Sequence, residues 1–275
     1  MQRNWVKDDQ SGLYAPDDAV PDFYAFMEAG SYIDLHQDDV QAIEDVFDDA
    51  NGKLTIINIF QACTPLGGVG TFRGLAGIST AVDTDGSFYN IVRYTSGEYR
   101  ILARTDAGTP IFDSTTLGPV VFDGNLQFTH LSDLAVAFTA TAKVALNGAA
   151  FVNLAVGYNR TALGVLERAS TGAEIRGPSV SAANSCLGWN YLTAVIKEDT
   201  EADRTALYNG FNSALSDPRY TMKAACAGFV AAVRSNVTES NIIYLHEHRV
   251  GQVPLYGKVP TYGGVKWSLP GVQPP

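Results

Sequence analysis

The sequence predicts a mainly β protein: an antiparallel β-sandwich with one or two helices toward its C-terminal end and extended arms at both termini. Three observations predict this. Apolar runs rich in β-branched and aromatic residues recur at intervals of roughly 8 to 12 residues through the middle of the chain. The junctions between them carry Asp85-Gly86, Ser96-Gly97, Ala107-Gly108, Asp123-Gly124 and Asn147-Gly148, pairs that tolerate the positive φ of a tight reversal. The composition leans the same way, with 46% hydrophobic and only 17% charged residues, 26 Gly, 13 Tyr and 13 Phe in 275 residues.

Residues 1–30 are acidic and aromatic, are interrupted by Pro16 and Pro21, and read as an arm that docks through Trp5, Tyr14, Phe23, Tyr24 and Phe26. The sandwich is expected over 31–216. It opens with SYIDL, a short helical turn in DDVQAIEDVFDDA, and a strand in KLTIINIFQAC, bounded by Asn51-Gly52 and by the Pro65 to Gly68 turn. Strands follow in GLAGISTAVD, SFYNIVRYT, EYRILARTD, PIFDS, VVFDGNLQFT, LAVAFTATAKVALNG and AAFVNLAVGY. No repeat of 30 to 50 residues marks a propeller or solenoid.

A helix is expected in KEDTEADRTALYNGFNSALS, with Thr200 as N-cap and Leu207, Phe211 and Leu215 as its apolar stripe. A second, Ala-rich helix falls within 217–238. From 239 onward Pro254, Pro260, Pro270, Pro274 and Pro275 oppose helix and central strand, leaving an extended arm. Its Tyr256, Tyr262 and Trp267 are docking residues.

The formal net charge of −10 repels phosphate backbones, so nucleic acid is not an expected partner. Cys63, Cys186 and Cys226 are odd in number and widely spaced, which gives no disulfide framework and favours a reducing compartment. The first residues show no basic stretch followed by an apolar one, and no run of roughly 18 apolar residues occurs. Membrane insertion is therefore not expected, nor is signal-directed export.

Three stretches resemble the laminin-G or concanavalin A-like jelly roll found in phage virion structural proteins. NGKLTIINIFQACTPLGGVGTFRGLAGIST is similar to the opening strand pair of that fold, and SFYNIVRYTSGEYRILARTDAGT to its central hairpin. HLSDLAVAFTATAKVALNGAAF resembles the hairpin ending in an Asn-Gly turn; CLGWNYLTAVIKEDTEADRTALYNG then resembles the closing strand and helix. The resemblance spans 31–216 and departs from the family at Ala145-Leu146, where an aromatic is common. It implies a binding or assembly domain rather than an enzyme. The residues outside it imply arms that interlock with copies of the chain and with other virion proteins.

The motifs are weighed on chemistry. A glycoside hydrolase or lyase on this sandwich needs two carboxylates across a groove, and the E-x-D-x-x-E strand of such glycosidases is absent. The run from Glu44 to Asp49 reads as a solvated helix face. No catalytic residue is expected. Asp83-Thr84-Asp85-Gly86 opens like a calcium loop, but Tyr94 stands where the twelfth-position carboxylate would be. A β-turn is the preferred account, with Ca²⁺ on Asp83 and Asp85 as its alternative. His246-Glu247-His248 puts two imidazoles on one strand face, read as an exposed pair rather than a zinc site because no third ligand is evident. Gly67 to Gly74 is a loop that lacks the Lys and Ser/Thr of a phosphate-binding turn.

The leading expectation is a virion structural protein, a capsid decoration, head fibre or tail component made in the host cytoplasm and self-associating through its arms. Its alternatives are a host-attachment module that stacks sugar rings on Tyr89, Tyr94 and Trp189, and a glycoside hydrolase or lyase.

Overall fold

Fifteen antiparallel strands and three α-helices make up the described residues of the computed structural model, which are 22–28, 31–62, 73–79, 87–93, 98–104, 110–113, 124–133, 140–158, 174–176, 188–197, 202–215 and 222–275. The strands are β1 (Tyr24–Met27), β2 (Tyr32–Asp34), β3 (Lys53–Ala62), β4 (Arg73–Ser79), β5 (Ser87–Arg93), β6 (Glu98–Arg104), β7 (Pro110–Asp113) and β8 (Asn125–Ser132). They continue with β9 (Ala140–Leu146), β10 (Val152–Tyr158), β11 (Glu174–Arg176), β12 (Gly188–Lys197), β13 (Ile242–Glu247), β14 (Thr261–Gly263) and β15 (Lys266–Ser268). The helices are α1 (Gln37–Asp48), α2 (Arg204–Leu215) and α3 (Met222–Asn236).

One sheet runs β10-β9-β8-β3-β12-β1-β15, with β13 also on β12; the other runs β14-β2-β11-β4-β5-β6-β7. The protein is thus a mainly β, antiparallel sandwich, as the turn spacing predicts.

Side chains directly opposite in an antiparallel pair share a face. Ile57 lies opposite Phe128 and Ala194, and Ile59 opposite Leu126 and Leu192. This face packs with Tyr24, Phe26 and Trp189 onto Leu207 and Phe211 of α2 and Ala225, Phe229 and Val233 of α3, forming the hydrophobic core. The other face of the same strands turns toward the second sheet.

Both segments read as arms contribute strands. Residues 24–27 pair with β12 and β15, and all four are buried. Residues 242–247 pair with β12, 261–263 with β2, and 266–268 with β1. Prolines 254, 260 and 270 fall in the connections, so they punctuate the segment without preventing the strands between them.

Helix details shift for local reasons. α1 has 12 residues rather than a single turn, and His36 caps it, Nδ1 accepting from the Asp38 N–H at 3.1 Å. Asp45 is exposed as expected, whereas Glu44 is turned inward and buried. α2 starts at Arg204, with Asp203 Oδ1 accepting from the Ala206 N–H at 3.2 Å. Its buried residues are Leu207, Phe211 and Ala214. No helix among the described residues is long and apolar enough to cross a membrane.

α2 and α3 cross at two glycines. A Cβ on Gly228 would stand 2.2 Å from the Gly210 carbonyl oxygen, and one on Gly210 would stand 2.6 Å from that of Gly228. Helix propensity alone favours alanine by about 1 kcal/mol. Overpacking against backbone costs about 1–3 kcal/mol or more and wins here. Gly228→Ala should therefore destabilise the chain by about 2 kcal/mol in urea denaturation, the opposite sign from a propensity effect.

Candidate functional site

The inward face of the long sheet carries a polar row. Gln127 on β8, Asn58 on β3, Thr193 on β12 and His246 on β13 stand opposite one another across four neighbouring strands. None is more than 1% exposed. His248 and Asn190, both fully buried, lie beside this row. Asn190 and Thr193 face inward together although three apart, because the register shifts between Asn190 and Leu192. Neither side-chain polar atom of Asn190 has a hydrogen-bond partner.

A side chain of the second sheet reaches this row. The Tyr262 hydroxyl, on β14, lies 2.8 Å from His246 Nε2 and 3.2 Å from His248 Nδ1. His248 Nε2 lies 3.0 Å from Thr193 Oγ1, which in turn donates to Asn58 Oδ1 at 3.2 Å. Donors and acceptors close in one direction. Thr193 spends its proton on Asn58, so it accepts from His248 Nε2–H; His248 Nδ1 then accepts from Tyr262, whose oxygen accepts from His246 Nε2–H. His248, whose Nδ1 accepts, is neutral in this chain.

The electrostatics agree with that assignment. Burial pulls His246 down to about 4, opposed by the backbone of Val253. Burial, and then its neighbour His246, hold His248 well below the usual histidine range. Burial pushes the Tyr262 phenol up.

Tyr262 also forms part of the wall of a half-open cavity of about 480 Å³, lined by Phe23, Arg249, Val250, Gly251, Gln252, Tyr262 and Trp267. Trp267 and Tyr262 meet edge to face, with ring centroids 5.0 Å apart. Phe23, 37% exposed, comes from the residue before β1. The backbone reverses at 249–252, where Gly251 takes φ 73°, the Gln252 N–H donates to the Arg249 carbonyl at 3.0 Å, and the Val250 N–H donates to Phe23 O at 2.9 Å.

Arg249 is the charged residue of this lining. Its Nη1 lies 2.7 Å from Asp22 Oδ1 and its Nε 3.4 Å from Glu247 Oε1. Asp22 also stands 3.6 Å from Lys223 Nζ, and Glu247 accepts from the Tyr24 hydroxyl. Burial lowers the Arg249 guanidinium, but the Glu247 and Asp22 carboxylates outweigh it and hold it above its ordinary value. A second cavity, of about 380 Å³, is lined by Asp45, Asp49, Lys53 and Lys197 among others, with no aromatic ring among its described lining residues.

The structure redistributes the residues singled out from sequence. Phe23, Tyr262 and Trp267, read as docking residues on two separate arms, line one cavity. Tyr256 packs against the hydrophobic core, its hydroxyl donating to Glu239 at 3.4 Å. Trp189 is 3% exposed, packs edge to face on Phe26 and donates Nε1–H to Ser268 Oγ, so it offers no ring face to a sugar. His246 and His248 share a strand face as their spacing requires, but that face is buried, not exposed. Trp5, Tyr14, Asp83, Asp85, Tyr94, Cys63, Cys186 and Thr200 lie outside the described residues, and Tyr89 is described only as a backbone position on β5. Among the described residues no three His, Cys, Asp or Glu side chains group as a metal site. Sequence reasoning passed over Arg249, Gln252, Asn58 and Thr193. The alternation Asn125-Leu126-Gln127-Phe128-Thr129 on β8 was a usable sign of a polar face.

No protein-family model and no curated protein matches the sequence. Among solved structures the chain is similar to the CBM40 of the Ruminococcus gnavus IT-sialidase bound to alpha2,3 sialyllactose, at 14% identity and a TM-score of 0.42, covering 68% of this chain and 94% of that one. It is similar to the native heptameric SAP-like pentraxin from Limulus polyphemus, at 9% identity and a TM-score of 0.37 over 90% of each chain. It is also similar to an alginate lyase of polysaccharide lyase family 7, at 13% identity and a TM-score of 0.33 over 54% of this chain and 60% of that one. All three are jelly-roll, concanavalin A-like sandwiches. The likeness is architectural.

The histidine chain predicts a pH dependence. A histidine depressed in the fold contributes stability that is present above its ordinary value of 6.5 and is lost as pH falls toward about 4. The buried carboxyls Glu247 and Asp39, raised by burial, act in the opposite direction. The difference between parent and His246→Gln isolates the histidine. Between about pH 7 and pH 4 the parent should lose on the order of 3 kcal/mol more than the variant in urea denaturation.

Proposed function

We propose that the chain is a carbohydrate-binding domain whose site is the cavity walled by Phe23, Tyr262 and Trp267. The observation that carries this reading is the convergence of those three rings, from opposite ends of the chain, on one half-open cavity of about 480 Å³. That size lies within the roughly 300–1,000 Å³ range of small-molecule clefts. Aromatic walls offer C–H-rich ring faces a stacking surface, and the Gln252 amide and the 249–252 turn supply polar groups at the rim. The Tyr262 hydroxyl is engaged from inside by His246 and His248, so its ring rather than its hydroxyl serves the ligand.

The assembly reading, in which terminal arms bind virion neighbours, has less support. Residues 242–247, 261–263 and 266–268 pair with strands of their own chain. Cleavage has less support than binding as well, because among the described residues no carboxylate lines this cavity, and Asp22 and Glu247 are engaged by Arg249.

Glycan-array screening followed by calorimetry tests the proposal. The folded chain should bind at least one glycan class, and Trp267→Ala and Phe23→Ala should each weaken that binding at least tenfold, about 1.4 kcal/mol. Their thermal unfolding should remain cooperative. A folded parent that binds no glycan, or a Trp267→Ala variant that binds as well as the parent, would overturn it.

A further inference from the structure

We infer that the ligand of the aromatic cavity is an uncharged sugar, an inference that rests on the carbohydrate-binding reading and names its substrate class. Acidic glycans are held by cations placed to meet a carboxylate or sulfate. Among the described residues Arg249 is the charged one in the wall, and its guanidinium is already bonded at 2.7 Å to Asp22 and paired at 3.4 Å with Glu247. Lys223 stands 3.6 Å from the same Asp22. Two cations thus face two carboxylates, and the group presents no net positive charge to the cavity.

An acidic ligand would have to displace Asp22 or Glu247 from Arg249. The pair is largely desolvated, with Arg249 at 9% and Glu247 at 19% side-chain exposure. Removing one partner from a buried pair leaves an uncompensated charge and is strongly unfavourable. The chain's formal net charge of −10 adds a long-range repulsion of anions. A neutral pyranose meets none of these costs. It stacks on Phe23, Trp267 and Tyr262 and leaves the ion cluster intact.

Matched pairs of glycans test this, each pair differing only in whether the terminal residue is a neutral hexose or its uronic acid, with binding measured by calorimetry near neutral pH. The parent should bind the neutral member at least tenfold more tightly. Asp22→Asn, and in parallel Glu247→Gln, unmasks Arg249 and should shift the ratio of the two affinities toward the acidic member by tenfold or more. Equal or tighter binding of the acidic member by the parent would overturn the inference while leaving the carbohydrate-binding reading standing. An affinity ratio unchanged in a folded Asp22→Asn variant would remove Arg249 neutralisation as its cause. Failure of the parent to bind either member of any pair would overturn the reading beneath it.

Discussion

The rest of the structure depends on how one edge of β12 is shared. Along Asn190 and its neighbours that edge pairs with β1, and from Leu192 onward it pairs with β13, two segments more than 200 residues apart in the sequence. The handover falls at the bulge where Tyr191 is the extra residue. There the His248 N–H donates to the Tyr191 carbonyl at 2.8 Å, and the Ala25 N–H donates to the His248 carbonyl at 2.9 Å, so the seam leaves these backbone groups satisfied. The aromatic cavity is a consequence of this seam. Phe23 and Arg249 emerge where β1 and β13 part, and β15, lying on β1, brings Trp267 to the same place.

The two faces of the long sheet do different things. Toward α2 and α3 the packing is almost wholly apolar, and burial of that kind, at roughly 25 cal/mol per Å² of apolar surface, is the main favourable term in folding. Toward the second sheet the same strands present Gln127, Asn58, Thr193 and His246, which gain little by burial unless each is hydrogen-bonded. Tyr262, from the opposite sheet, bonds His246 of this row and His248 beside it at once. It thereby ties the wall of the cavity to the interior.

Much of the fold was readable in the sequence because it rests on local signals. Asn147-Gly148 sits at the turn after β9, with φ 48° and 76°, and the β-branched run at 54–59 is β3. The site was less readable because it is made by pairing distant segments. Nothing local to Tyr24–Met27 says that it will be an interior strand, since its aromatic residues suit docking on any surface. Nothing near His246 and His248 says that their shared face will be covered. Spacing reveals which side chains point together; burial depends on which strand arrives opposite, and here that strand is β14, some 15 residues later in the chain. The prolines misled for a related reason. They rule out strand only at their own positions, and β14 begins at the residue after Pro260.

The polar row also constrains register. Side chains alternate with a period of two, so a slip of β3 by one residue would carry Asn58 into the apolar layer against α2 and α3 and would turn Ile57 and Ile59 toward the histidines. The same slip in β12 would put Thr193 where Ala194 packs. A sheet apolar on both faces would lose far less on slipping, because each register would bury similar groups. The buried amides and imidazoles add little net stabilisation in the native pairing but would be costly in any shifted one. That difference selects one alignment of four neighbouring strands. The seam at Tyr191 needs that alignment, because the Tyr191 carbonyl accepts from the His248 N–H only when Thr193 stands opposite His246. Polarity that looks unfavourable inside a sandwich therefore holds the strands in the single register that brings Phe23, Tyr262 and Trp267 around one cavity.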